Sequence, residues 1–353
     1  MTPVAKVTLR RTSALVLLTA LCAPSGAQAQ TMNIAVSRLR IESQDQIAFP
    51  ETPCPSTFTV DGRALTRDWC PDEDAWRRVM TQFGASLIPP ILTQAGTRGV
   101  RGIYVGFETW LTGIDNGQEY WHRAVEGDGG SADHSRSRFV DGVLGWGRLN
   151  VRKGLPFGFE LGTNIGYLAN TTYWTLGLEV RWALWEGFRD GVGWIPDFAV
   201  RAAVQTLLGD GEFNVTVPSV DLILSQPIVV GNSVEITPSV FAQIAWLFAD
   251  SELVDLDPDT SAFDTCMPEA ETPAAGSPPY CRGEGMQLNH NVVMPSIRST
   301  RVRVGGGLQL RYEWFTLMGS FLADVARPAD LDGNLPGDLP AQWQVNIGTG
   351  LTF

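Results

Sequence analysis

The chain ends on AQWQVNIGTGLTF (residues 341–353), in which apolar or β-branched residues alternate with polar residues and glycine. The apolar set is Val345, Ile347, Thr349, Leu351 and Phe353. A period of two indicates a β-strand with one apolar and one polar face. In a soluble sandwich the apolar face would pack on a second sheet, whereas in a membrane barrel it would face lipid and the polar face would line the lumen. The rest of the chain distinguishes between the two.

The same alternation recurs from about residue 101 onward. We predict ten strands, at about 101–111, 139–151, 155–168, 173–185, 196–208, 213–225, 233–248, 297–313, 315–324 and 342–353. They predict an all-β fold, an antiparallel up-and-down barrel over residues 97–353. Twelve strands are the alternative, because Asn33–Ile41 alternates weakly and a further hairpin would fit within residues 30–65.

Arginine decides which face of the strands meets lipid. In RVRVGGGLQLRYEW (301–314), Arg301, Arg303 and Arg311 share one face. Exposing them to lipid would cost about 2–4 kcal/mol each near the midplane, so we place this face in the lumen. The expected lumen-lining residues are Glu108, Arg148, Glu160, Glu179, Arg181, Asp197, Arg201, Asp221, Glu235, Arg301, Arg303, Arg311 and Glu313. Because acids and arginines nearly balance, they favour a cross-linked interior over an ion-selective ring, although lumen glycines leave room for a narrow path.

The connections and the aromatic residues agree with a membrane barrel. By strand parity the three longest connections, at about 112–138, 249–296 and 325–341, lie at one end, and tight turns lie at the other. Tyr173, Trp174, Trp246, Phe248 and Trp343 are expected at one membrane interface. Trp182, Trp185, Trp194, Tyr312, Trp314 and Phe353 are expected at the other.

The N terminus has the pattern of an export signal. A basic region, a short apolar run and a small-x-small cleavage motif follow one another, at Lys6, Arg10 and Arg11, at Ala14–Ala23 and at Ala27–Ala29. We expect a signal peptide at residues 1–29. No later stretch approaches the ~18 apolar residues that a membrane helix requires.

Residues 30–96 are expected to form an N-terminal periplasmic segment. Within it, PDEDAWRRVMTQFGASL (71–87) predicts an amphipathic helix. Its apolar stripe is Trp76, Val79, Met80, Phe83 and Leu87. Two interpretations stay open: the helix plugs or caps the barrel, or it packs beside it as a periplasmic foot.

Four cysteines follow the signal peptide, and their spacing predicts two local disulfides, Cys54–Cys70 and Cys266–Cys281. Zinc is disfavoured, because neither pair has C-x₂₋₄-C spacing and the chain has only 3 histidines. The formal net charge of −12 argues against nucleic acid as a partner.

The last strand resembles the closing strand of Gram-negative outer-membrane β-barrel proteins. It ends on Phe353, with hydrophobic residues two, six and eight positions earlier. The resemblance covers the signal peptide and about 97–353, and it is to the broad class, not to one family. It implies an outer-membrane location with both termini in the periplasm, lipid and lipopolysaccharide as surroundings, and recognition of Leu351 and Phe353 by the barrel-assembly machinery.

Three functions remain, in order of preference. The first is a narrow or gated passive channel or transporter for small solutes, with the helix as a plug. The second is a structural or surface-recognition barrel, like an adhesin or receptor, that acts through its external loops. The third is an outer-membrane hydrolase, but His122, His134 with Ser135, and His290 all fall in loops, so we expect no enzyme.

We also expect no cofactor and no metal site. Asp255, Asp257 and Asp259 lack the glycine and glutamate of a calcium loop. The ligand stays undetermined.

Overall fold

The alternating region forms a closed ring of strands in the computed structural model, which describes residues 32–42, 57–60, 63–66, 69–126, 140–186, 195–231, 233–256 and 291–353. Its strands are β1 (Arg40–Glu42), β2 (Thr57–Val60), β3 (Arg63–Thr66), β4 (Trp69–Pro71), β5 (Ile103–Gly113), β6 (Val143–Gly154), β7 (Phe159–Leu168), β8 (Trp174–Trp185), β9 (Asp197–Leu208), β10 (Phe213–Ser225), β11 (Ile228–Val230), β12 (Val234–Ser251), β13 (Val254–Asp255), β14 (Asn291–Val292), β15 (Ile297–Tyr312), β16 (Phe315–Asp324) and β17 (Trp343–Thr352). Its helices are α1 (Glu73–Ser86), α2 (Glu119–Glu126) and α3 (Pro328–Leu331), with 3₁₀ turns at Val36–Arg38 and Pro156–Gly158.

Ten strands form the barrel: β5 to β10, β12, and β15 to β17. Each pairs antiparallel with its neighbours in the ring, which closes through β10 with β12 and through β5 with β17. The predicted fold is therefore confirmed, and each predicted strand matches an observed one to within about four residues at either end.

The alternative of twelve barrel strands is wrong. Of Asn33–Ile41, only the last two residues enter a strand, β1, and β1 pairs with β4 in a separate two-stranded sheet. The β2–β3 hairpin also lies outside the barrel sheet. The three-residue β11 pairs with the beginning of β12 at the barrel rim.

The outer wall of the barrel is apolar. Along β8, Trp174, Leu176, Leu178 and Val180 are exposed, whereas Thr175, Glu179 and Arg181 on the opposite face are buried. Such a wall belongs in lipid, because apolar area of this extent is not left in water by a soluble protein. Among the described residues, no helix has the length and apolarity to cross a membrane.

The two mouths of the barrel differ in their connections. The long-loop mouth carries the connections at 114–142, 169–173, 209–212, 252–296 and 325–342. The Phe353 mouth carries those at 155–158, 186–196, 226–233 and 313–314. At this mouth Phe353 N–H donates to Ile103 O at 2.9 Å. The three longest connections lie together, as the parity of the strands predicted.

Exposed aromatic side chains surround both mouths. Trp174, Trp246, Phe248 and Trp343 lie towards the long-loop mouth, and Trp182, Trp185, Tyr312, Trp314 and Phe353 lie towards the Phe353 mouth. Trp194 lies outside the described residues. Tyr173 is a correction: it precedes β8 by one residue, so its side chain points inward and is 1% exposed.

Candidate functional site: the plugged lumen

Helix α1 lies inside the barrel, in the half nearer the long-loop mouth. The helix begins at a capped end, because the Asp72 carboxylate accepts the Ala75 N–H at 2.9 Å. Glu73 and Asp74 in the first turn favour the positive end of the helix dipole. Its predicted stripe is fully buried, with Trp76, Val79, Met80, Phe83 and Leu87 each 0% exposed.

The apolar stripe packs on the lumen wall through aromatic rings. The Phe83 ring lies 5.7 Å from that of Tyr173, 5.8 Å from that of Phe213 and 6.4 Å from that of Trp146. Gly84 brings the helix backbone against β12, since a Cβ there would lie 2.1 Å from Leu247 Cδ1. The helix thus fills the lumen as a plug and does not stand beside the barrel as a foot.

The C-terminal end of α1 meets donors from the wall. Arg303 donates to Ala85 O at 3.0 Å, Arg301 donates to Thr81 O at 3.0 Å, and Trp110 Nε1 donates to Ser86 O at 2.8 Å. The last carbonyls of a helix lack partners within it and carry its negative end. Arg303 and the Trp110 indole N–H therefore satisfy two of these carbonyls, and Arg301 adds a bond to Thr81 O one turn earlier.

Residues 87–97, which we call the thread, continue from α1 to the Phe353 mouth. Pro89 and Pro90 cannot extend the helix, and their carbonyls accept bonds from Arg201 at 3.2 and 2.9 Å. The wall supplies further partners along the thread. Gln243, Ser320 and Gln309 donate to Pro89 O, Ile91 O and the Gln94 side chain, respectively. In the other direction, Ala95 N–H donates to Ser225 Oγ and the Thr97 hydroxyl donates to Glu186. These bonds replace the water that an irregular backbone would otherwise need.

A continuous chain of ion pairs runs along the inner face of the barrel, from β5 to β10. Glu108 pairs with Arg148 at 2.5 Å and with Arg152 at 2.9 Å, and Arg152 also pairs with Glu179. Arg201 joins Glu179 at 3.1 Å and Asp221 at 2.5 Å. Three carboxylates and three guanidinium groups alternate, so no net charge is left buried.

Two further clusters each join one acid to two arginines. Glu160 pairs with Arg181 at 2.9 Å and with Arg98 at 3.0 Å. Asp324 pairs with Arg301 at 2.6 Å and with Arg303 at 2.9 Å. In the second cluster the extra positive charge faces the carbonyl end of α1.

Ten of the residues predicted to line the lumen have buried side chains. These are Glu108, Arg148, Glu160, Glu179, Arg181, Asp197, Arg201, Asp221, Arg301 and Arg303. Glu235 and Arg311 pair at 3.0 Å near the Phe353 mouth, beside a cavity of about 310 Å³. Glu313 is a correction, because it lies exposed in the tight turn between β15 and β16 with φ 52°.

Sequence reasoning missed three charged residues of these clusters. Arg152 follows the predicted end of its strand, Asp324 occupies the last position of another strand, and Arg98 precedes the first strand. Inward parity would have identified Asp324 within its predicted strand, and it would have identified Arg152 had that strand been extended by one residue.

Residues 32–39, which we call the roof, lie across the long-loop mouth. Ile34 N–H donates to the Tyr173 hydroxyl and Ala35 N–H to Ala124 O, both at 2.9 Å. Val36 N–H donates to the Glu212 carboxylate. Burial raises the pKa of the Glu212 carboxyl, and it also raises the pKa of the neighbouring Asp210 carboxyl.

The roof corrects the expected position of residues 30–96. Met32 N–H donates to Asn170 O at the long-loop mouth, whereas Phe353 lies at the opposite mouth. The two described ends of the chain therefore cannot both lie on the periplasmic side, and α1 belongs to the barrel interior, not to a separate periplasmic segment.

The remaining candidate sites gain little from the structure. Among the described residues, no three His, Cys, Asp or Glu side chains form a metal-binding group. His122 pairs with Glu126 at 3.0 Å on an exposed part of α2, and His134, Ser135, His290, Asp257 and Asp259 lie outside the described residues. Cys70 is buried in β4, and because Cys54, Cys266 and Cys281 lie outside the described residues, the disulfide pairing stays a prediction.

Comparison with known proteins gives no specific family, so the fold is assigned from the strand pairing. No protein-family model matches the chain, and no curated protein matches it. Similar solved structures are the N-terminal β-barrel domain of Pseudomonas aeruginosa OprF, the attachment invasion locus protein Ail of Yersinia pestis, and the Acinetobacter baumannii outer membrane protein Omp33. The OprF domain and Ail are each 10% identical to this chain, cover 71% of it and 97% of their own length, and have TM-scores of 0.26 and 0.24. Omp33 is 8% identical, covers 72% of this chain and 100% of its own length, and has a TM-score of 0.25. The closed antiparallel ring, its apolar wall and its two aromatic girdles identify the chain as an outer-membrane type of β-barrel, without a specific family.

Proposed function

We propose that the protein is a closed outer-membrane barrel that acts as a surface-recognition scaffold through its roofed long-loop mouth. The observation that carries the proposal is the plug: α1 and the thread occupy the lumen from one mouth to the other, held by wall donors along their length. Lipid and lipopolysaccharide would surround the wall, and the barrel-assembly machinery would read Leu351 and Phe353.

The energetics of the plug favour this function over a channel. Withdrawing α1 would expose Trp76, Val79, Met80 and Phe83, which are now fully buried. At about 1.5–3 kcal/mol for each side chain, this costs roughly 6–12 kcal/mol. A gap of about 6 kcal/mol leaves about one molecule in ten thousand open.

A gated passage for small solutes is the second candidate, because one observation favours it. The ion pairs from Glu108 to Asp221 join barrel strands to one another. They would stay paired if the plug moved, so the polar half of the lumen does not depend on the plug for its charge balance.

Single-channel recording of the refolded mature chain in a planar bilayer distinguishes these candidates. We expect no conductance steps from inserted protein, since the lumen is filled. Heat modifiability of the same sample on gels serves as the control for insertion. Discrete steps from the wild-type chain would contradict the closed scaffold and support the gated passage.

Cysteine labelling on intact cells tests which mouth faces outward. Val293 at the long-loop mouth is 63% exposed and Val229 at the Phe353 mouth is 69% exposed, so they form a matched pair. We expect a membrane-impermeant maleimide to label Val293→Cys on intact cells and Val229→Cys only after lysis, with the unsubstituted chain as background. The reverse pattern would mean that the long-loop mouth faces the periplasm and would overturn the proposal.

A further inference from the structure

Lys153 stands apart from the other charged residues of the barrel. The chain contains two lysines, Lys6 and Lys153. Lys153 lies near the end of β6 and points outward from the wall, half-buried. The other outward charges on the ten barrel strands, Asp250 and Arg298, pair with each other at 2.8 Å near the long-loop mouth. Lys153 has no ion-pair partner among the described residues, so an apolar wall carries one uncompensated ammonium group.

A second cation lies beside it at the Phe353 mouth. Lys153 pairs in register with Ile103 at the beginning of β5. Arg101 is exposed two residues before Ile103, in the turn that leads into this strand. Two positive side chains therefore lie at one place on the rim, Lys153 on β6 and Arg101 in the turn before the neighbouring strand β5.

An apolar groove begins at Lys153 and runs along the outer wall. It has a volume of about 470 Å³ between β6, β7 and β8, and its outward lining is Val151, Lys153, Leu161, Thr163, Leu178 and Val180. Gly162 and Glu179 also border it, but the Glu179 carboxylate pairs with Arg152 and Arg201 inside the lumen. Thr163 leaves space in the middle of the groove, because its side chain is small. Its hydroxyl donates to Gly177 O at 3.3 Å.

The groove ends at the level where lipid headgroups meet the wall. Phe159 and Trp182 stack with ring centroids 5.4 Å apart, two register positions nearer the Phe353 mouth than Leu161 and Val180. Aromatic rings in such positions mark the membrane interface. The apolar lining thus lies at acyl-chain depth. Lys153 pairs in register with Leu161, so its backbone lies at the same depth, and its long side chain extends towards the headgroup level and Arg101.

We propose that this groove binds one glycerophospholipid with an anionic headgroup. The phosphate contacts the Lys153 ammonium and the Arg101 guanidinium, and an acyl chain lies along Thr163. The lysine stem follows the apolar wall while its Nζ reaches the headgroup. Charge complementarity selects an anionic lipid, since each basic side chain near an anionic lipid surface strengthens binding by about fivefold.

Native mass spectrometry of the full mature chain in detergent, with phosphatidylglycerol as the probe, tests this site. We expect one retained phosphatidylglycerol and about fivefold weaker retention by Lys153→Gln and by Arg101→Gln. Thr163→Phe fills the groove and should abolish retention although both cations remain. Arg298→Gln, which removes an outward cation at the opposite mouth, should retain the lipid as the wild type does.

Several outcomes would overturn the proposal. Retention unchanged in both Lys153→Gln and Thr163→Phe would mean that lipid binds elsewhere on the wall. Equal retention of phosphatidylcholine would remove the role of charge, and stronger retention of lipid A would assign the groove to a different lipid. The result does not depend on whether the lumen conducts, because the groove lies outside the barrel.

Discussion

Replacing Phe83 with alanine is expected to lower the free energy of unfolding by about 3–5 kcal/mol. The Phe83 side chain is 0% exposed and lies among the rings of Trp146, Tyr173 and Phe213. The closed wall cannot collapse onto the cavity left behind, because its strands are held in a ring, so the full cost of a cavity in a packed core applies. Urea titration of the refolded chain in detergent micelles, followed by tryptophan fluorescence, measures the change.

Phe157→Ala is the matched control for this substitution. Phe157 is 88% exposed in the turn between β6 and β7, and its loss should change the free energy of unfolding by less than about 0.5 kcal/mol. If the two variants unfold at the same urea concentration, Phe83 does not hold a packed plug, and the closed scaffold loses its main support.

The second large effect is expected for Asp324→Asn, which should destabilise the barrel by about 3–5 kcal/mol. Among the described residues, Asp324 is the acid that pairs with Arg301 and Arg303. The amide keeps the shape of the side chain but leaves two guanidinium groups buried without a counter-charge. The urea midpoint of the refolded chain should therefore fall, and the loss should persist in high salt, since buried pairs are little screened.

Asp250→Asn makes the same chemical change on the outer rim. Asp250 pairs with Arg298, and both side chains are about half exposed, at 49% and 48%. Such a pair contributes about 0–1 kcal/mol, so this variant should remain close to the wild type. Equal destabilisation by Asp324→Asn and Asp250→Asn would show that the Asp324 cluster is hydrated and not part of a sealed lumen.

Alternation along the chain was sufficient to predict the barrel. In β8, outward Trp174, Leu176 and Leu178 alternate with inward Thr175, Gly177 and Glu179, and the register leaves one arrangement that keeps charges out of lipid. The same parity placed Glu108 and Arg201 in the lumen. It could not identify their partners, because alternation specifies a face but not the register between neighbouring strands, which sets Glu108 opposite Arg148 and Arg201 opposite Asp221.

The position of the plug could not be predicted from the sequence. The stripe from Trp76 to Phe83 showed that one face of α1 is buried, but an apolar stripe does not specify what covers it. The thread has no periodicity, since its backbone is shaped by wall donors such as Arg201 and Ser320. Tyr173 was assigned to the outer wall although strand parity places it with Thr175 on the inner face.

The seam between β5 and β17 has a consequence for the order of assembly. It joins the first barrel strand of the chain to the last, from Tyr104 with Thr352 to Thr112 with Gln344. The 14-residue α1 precedes every barrel strand in the sequence, and a helix with its side chains is about 10–12 Å across. Inside the ring, Trp110 and Trp146 stack 5.9 Å apart at the C-terminal end of the helix, where Trp110 donates to Ser86 O. A helix of this width packs most readily while the sheet is still open at the seam, so we infer that the last strand joins the first around α1 and that the helix acts as the template for closure.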